Sequence, residues 1–92
     1  GYMARAWVNF NGTGTVAIRA SGNVSSITDA GTGQYGVNFT NAMPDVNYAP
    51  VSNSSGRSTA ANVTSTSRAD LVLRDSAGTL TDYSEVFVAI FR

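Results

Sequence analysis

Turn-forming residues break this chain at short intervals, and between them the apolar residues alternate instead of recurring every three or four positions. That pattern excludes amphipathic helices of useful length and demands strands with one buried face each. It predicts strands near Arg5–Phe10, Thr15–Ala20, Val24–Thr28, Gln34–Thr40, Tyr48–Asn53, Thr59–Thr66, Ala69–Asp75 and Tyr83–Phe91. Between them lie Asn11–Gly14, Ser21–Asn23, Asp29–Gly33, Asn41–Asn47, Ser54–Arg57 and Ser76–Thr79. These connections carry Gly or Asn for positive φ, or Asp and Ser side chains that close a turn on their own backbone. About eight short strands at this spacing fit a small antiparallel β-sandwich.

Parity within the strands assigns the faces. In the first strand Ala6, Val8 and Phe10 share a side, and Trp7, the only tryptophan, points the other way with Arg5 and Asn9. Val16 and Ile18 face in with Arg19 out, and Tyr35, Val37 and Phe39 face in with Asn38 and Thr40 out. The last strand breaks this rule. Val86, Val88 and Ile90 lie on one face, yet Phe87, Ala89 and Phe91 make the other face apolar as well. A sandwich has one core, so something other than the facing sheet must cover the second side. No helical segment is available, which leaves a folded-over loop or another copy of the chain. At about 25 cal/mol per Å² of apolar area, two phenylalanines left in water forgo several kcal/mol. A subunit interface with Trp7, Phe87 and Phe91 as its candidate residues is the expectation.

At 92 residues the chain makes a single domain, with Gly1–Ala4 read as a linker or processing remnant. Cysteine, histidine and lysine are all absent, which removes disulfides, Cys- or His-based metal sites, Schiff-base amines and histidine-activated nucleophiles. No metal or cofactor is expected. Six arginines balance five aspartates and one glutamate, so there is no basic excess for nucleic acid. No apolar run approaches the roughly 20 residues that span a bilayer as a helix, and membrane insertion is not expected.

The remaining motifs read as structure. Both Gly-Thr-Gly tripeptides, at Gly12–Gly14 and Gly31–Gly33, precede strands and not helices, so they are turns and not phosphate cradles. Asp75 and Asp82 bracket a turn and would approach each other if it closed a hairpin, but two carboxylates without a groove do not make a glycosidase. Both are read as turn residues, and no catalytic residue is expected. Five Asn-x-Ser/Thr sequons, at Asn11, Asn23, Asn38, Asn53 and Asn62, follow from a composition rich in those residues. Pro44 ends a strand, and Met43 plugs one end of the sandwich. The polar loop Ser52–Ser58 carries Arg57, whose planar fork of donors suits carboxylates or sugar hydroxyls.

The run "WVNFNGTGTVAIRASGNVSSITDAGTGQYGVNFTNAMPDVNYAPV" (Trp7–Val51) and the closing "VFVAIFR" (Val86–Arg92) resemble a module at the C-terminal ends of tailed-bacteriophage tail fibre proteins. The resemblance covers over half the chain. It is most specific at Trp7–Ala20, Asn38–Thr40 and Ala42–Asp45. More loosely, the arrangement is similar to H-type lectin-like sandwiches. The resemblance implies a homotrimer, the end of a longer fibre protein, carried extracellularly on the virion. It also implies a non-enzymatic domain that attaches to a host-surface glycan or envelope protein. The alternative is a purely structural virion module that trimerises or caps the fibre, or decorates the particle, without a ligand of its own. Candidate ligand residues are Asn53, Ser55, Arg57, Arg68 and Asp75, on the loops Asn53–Ser58, Ser65–Asp70 and Asp75–Asp82. Trp7 could serve as a stacking platform for a sugar ring, but the doubly apolar last strand favours the interface.

Overall fold

The computed structural model describes residues 4–55 and 58–92. They form eight strands: β1 Ala4–Asn11, β2 Ala17–Gly22, β3 Val24–Gly31, β4 Gln34–Phe39, β5 Ala49–Ser54, β6 Ser58–Val63, β7 Arg68–Arg74 and β8 Val86–Phe91. Two four-stranded antiparallel sheets face each other in a β-sandwich, one with the order β2-β1-β8-β5 (sheet A) and one with β3-β4-β7-β6 (sheet B). The chain crosses between sheets after β2, β4, β5 and β7.

The central strands carry the core. β1 contributes Ala6, Val8 and Phe10, β8 contributes Val86, Val88 and Ile90, β4 contributes Tyr35, Val37 and Phe39, and β7 contributes Ala69, Leu71 and Leu73. All twelve are buried, each triplet at alternate positions of its strand as the period of two requires. Phe10 and Tyr35 meet edge to face across the two sheets, with ring centres 5.3 Å apart. Val16 and Ile18 pack against the margin of this core, and Met43 and Tyr48 close one end as the strand-ending Pro44 suggested.

Several sequence expectations shift. Ala4 belongs to β1 and not to a linker. β2 begins at Ala17 because Gly14, with φ +60°, turns the chain and residues 12–16 form the connection. A bulge leaves Arg19 unpaired between the Asn9–Ala20 and Phe10–Ile18 pairs. β8 starts at Val86 and not at Tyr83. The chain passes from one sheet to the other between β5 and β6 and again between β7 and β8, so neither pair forms a hairpin.

Polar side chains fasten the crossovers. Asn23 occupies the left-handed region (φ 55°) between β2 and β3, which asparagine tolerates. Its Nδ2 donates to the Arg5 and Asn41 carbonyls and its Oδ1 accepts from the Asn41 amide at 2.7 Å. Asp82 fastens the β7–β8 crossover to the start of β4. Its Oδ1 accepts from the Gly33 amide at 2.8 Å and from the Tyr35 hydroxyl at 2.5 Å, while that hydroxyl also lies 2.7 Å from the Gly12 carbonyl. Burial first, then the bond to Asp82, pushes the Tyr35 phenol up well beyond the usual range. At the end of β8, Arg92 grips Asp45 of the β4–β5 crossover in a two-bond fork, Nε to Oδ1 at 2.8 Å and Nη2 to Oδ2 at 2.6 Å. The Arg92 fork, together with the Asn47 amide, holds the Asp45 carboxyl down at about 2.

Two outcomes follow. Tyr35→Phe leaves the ring in place but removes the cross-sheet bond, and should lower unfolding stability by about 1–3 kcal/mol in urea titration. Because the folded carboxyl of Asp45 titrates below its ordinary 3.8, the clamp is intact above that pH and fails as pH drops toward about 2. Urea midpoints of the wild type should therefore fall through this window, and Asp45→Asn should flatten part of that fall.

Candidate functional site

The two outward faces of the sandwich have opposite chemistry, and strand register shows how each arises. On sheet A, one cross-strand row runs Gly22, Trp7, Ala89, Val51, and the next runs Ala20, Asn9, Phe87, Asn53. Phe91 sits between Ala4 and Ala49 in a third. Trp7 remains 42% exposed, Val51 56%, and Phe87 and Phe91 38% each. The small Ala89 between Trp7 and Val51 leaves a shallow depression of about 370 Å³, bordered by Phe87, Asn9 and Asn53.

Trp7 lies flat on its cross-strand neighbour. A Cβ on Gly22 would stand 2.3 Å from the indole Nε1, so only glycine leaves room for the ring to rest there. Beside it, the Oδ1 of Asn9 is buried without a hydrogen-bond partner. Buried acceptors in that condition are rare in native proteins, because each forfeits the hydration it had in the unfolded chain.

Sheet B presents the reverse. Its outward rows are Ser26, Asn38, Arg68; then Thr28, Gly36, Asp70, Asn62; then Gln34, Val72, Ala60. Asn38 Nδ2 donates to Thr28 Oγ1 at 2.9 Å and Ser26 Oγ at 3.1 Å, tying β4 to the edge strand β3. Arg68 Nε donates to Asp70 Oδ1 at 2.9 Å, and Thr64 Oγ1 donates to Asp70 Oδ2 at 2.6 Å. The Thr64 bond first, and Arg68 after it, hold the Asp70 carboxyl below the usual range. These residues border an open depression of about 470 Å³.

The residues singled out from the sequence therefore divide. Trp7, Phe87 and Phe91 come together on sheet A, joined by Val51, which parity in "YAPVSN" would have placed opposite Tyr48 and Pro50. The ligand candidates do not converge. Asn53 lies on the apolar face of sheet A, and Ser55 donates its amide to the Glu85 carbonyl at 3.0 Å. Arg68 lies on sheet B. Asp75 Oδ1 accepts from the Ala77 and Thr79 amides, which makes it a turn residue as expected. Arg57 falls outside the described residues. Asp82, expected in a turn, instead engages Tyr35 and Gly33.

What fold and surfaces define together is an all-β sandwich with one apolar and one polar outer face. Comparison with protein-family models, with curated proteins and with solved structures finds no match.

The seat of the indole gives a direct check. Gly22→Ala should lift the Trp7 ring from the sheet, which iodide would report as stronger quenching of its fluorescence in dilute solution.

Proposed function

We propose that this chain is a non-enzymatic attachment module that works as a self-associated assembly, packed through the outer face of sheet A. The apolar strip of Trp7, Val51, Phe87 and Phe91 carries the reading. From their fractional exposures these four leave roughly 350 Å² in water, within the range of the largest patches on monomers, which are often functional. At about 25 cal/mol per Å², covering it is worth several kcal/mol per copy, against about 5–15 kcal/mol for the whole stability of a domain. Arg5 and Asn53 lend the strip a polar rim, the composition usual where an apolar interface core meets solvent.

The resemblance to tail fibre ends gives this assembly its setting: a homotrimer on the virion, contacting a glycan or envelope protein on the host surface. Weak single-site contacts then act together through repeated copies. The scatter of Asn53, Ser55, Arg68 and Asp75 over different surfaces favours a second reading, in which the domain only trimerises or caps the fibre.

Val51→Asp places a carboxylate on the β5 side of the strip, at a position more than half exposed in the single chain. Sedimentation equilibrium should show the wild type as a trimer at micromolar concentration and this variant as a folded monomer. A wild type that stays monomeric would refute self-association. Failure of the trimer to bind host cells would favour the structural reading.

A further inference from the structure

The polar face of sheet B contains a side-chain arrangement that none of its hydrogen bonds exhausts. Arg68 stands across from Asn38 but leans along its own strand until its guanidinium lies over Gly36 of β4. A Cβ added at Gly36 would meet Nη2 at 2.3 Å and Cζ and Nε at 2.4 Å, so the planar group rests on bare backbone. One edge is fixed by Nε–H to Asp70, whose second oxygen is held by Thr64. The guanidinium is therefore set in direction, from beneath and from one side, before any ligand arrives.

The other edge is open. Among the described residues no hydrogen bond engages Nη1 or Nη2, and the Arg68 and Asp70 side chains remain 34% and 42% exposed. Each Asp70 oxygen accepts one bond from a side chain and keeps further acceptor capacity. Donors and acceptors thus stand side by side in a depression of about 470 Å³, with the amides of Gln34 and Asn62 and the apolar Val72 at its border. That volume lies within the usual span of small-ligand sites, roughly 300–1,000 Å³.

We propose that this face binds a neutral saccharide, with Arg68 donating to and Asp70 accepting from a pair of adjacent ring hydroxyls. The inference rests on the attachment reading above and gives it a site and a ligand class. Charge selects the class. Arg68 alone would suit a carboxylate or phosphate, but an anion seated on its open edge would also face the ionised Asp70, and like charges repel. A hydroxyl both donates and accepts, so neighbouring hydroxyls match an arginine–carboxylate pair where a simple anion or cation does not. Val72 offers a small apolar surface to the C–H side of a sugar ring.

Gly36 supplies the decisive variant. Gly36→Ala keeps the strand, because the atoms in the way belong to the end of a flexible side chain, but it displaces the guanidinium. The ¹⁵N-labelled chain should be titrated with the methyl glycosides of glucose, galactose and mannose, and with N-acetylneuraminic acid as an anionic probe. At least one neutral glycoside should move the backbone amides of Gly36, Asn62 and Asp70 saturably, and the anion should not. Gly36→Ala and Arg68→Lys, both checked for a native-like spectrum, should each weaken that binding at least tenfold. No saturable shift with any neutral glycoside, stronger binding of the anion, or undiminished binding by Gly36→Ala would each overturn the proposal. On an array of immobilised neutral and sialylated glycans, binding by the wild type that Gly36→Ala retains would remove this site and leave the attachment reading standing. An array silent to wild-type trimer would remove the glycan-binding form of that reading together with the site.

Discussion

The inward triplets of β1, β8, β4 and β7 are what the rest of this molecule depends on. Twelve side chains fill the space between two thin sheets, and the two-residue period then dictates what every intervening position must do. A one-residue slip in β8 would exchange Val86, Val88 and Ile90 for Phe87, Ala89 and Phe91, a set of similar hydrophobicity. Hydrophobicity alone cannot hold that register. The shape of the core and the fastenings at its ends must do so, and here the Arg92–Asp45 fork and the hydrogen bond from the Ser55 amide to the Glu85 carbonyl bracket β8.

Both outer faces use the same local device for different chemistry. A flat group leans on a glycine: the indole of Trp7 on Gly22, the guanidinium of Arg68 on Gly36. In each case the missing side chain lets a large planar group lie down on the sheet instead of standing away from it. On sheet A the result is a low apolar surface, and on sheet B an oriented donor beside a carboxylate. An interior glycine ordinarily weakens a strand, so the guanidinium above it accounts for Gly36 within β4, while Gly22 makes room for the indole at the end of β2.

Much of the fold was legible because alternation is a local property. The strand locations, the buried triplets of β1 and β4, the two apolar faces of β8 and the outward Trp7 all follow from parity within single strands. What was illegible depends on which strands become neighbours. The polar linkers after β5 and β7 have the composition of hairpin turns, yet both cross between sheets, so nothing in their residues distinguishes the two outcomes. Asp82 looked like a turn residue for the same reason; its partners Tyr35 and Gly33 are remote in sequence and approach only when β4 lies beside β7. The Arg68–Gly36 contact needs β4 beside β7, and Val51 becomes part of an apolar strip only when β5 is paired with β8. A bulge at Arg19 and the start of β1 at Ala4 are details of pairing that no pattern of polarity encodes.

The opposition of the two faces has a geometric consequence. The sandwich is about 36 Å long and little more than 20 Å across its other dimensions, with sheet A on one broad side and sheet B on the other. Copies packed through sheet A around a three-fold axis would turn their B sheets away from that axis, in three directions roughly 120° apart. Such an assembly displays its polar depressions along its flanks and not at its end. It would meet a flat surface with one flank at a time, or a mesh of chains with all three, and the density of hydroxyl-bearing strands around it would then govern how firmly it holds.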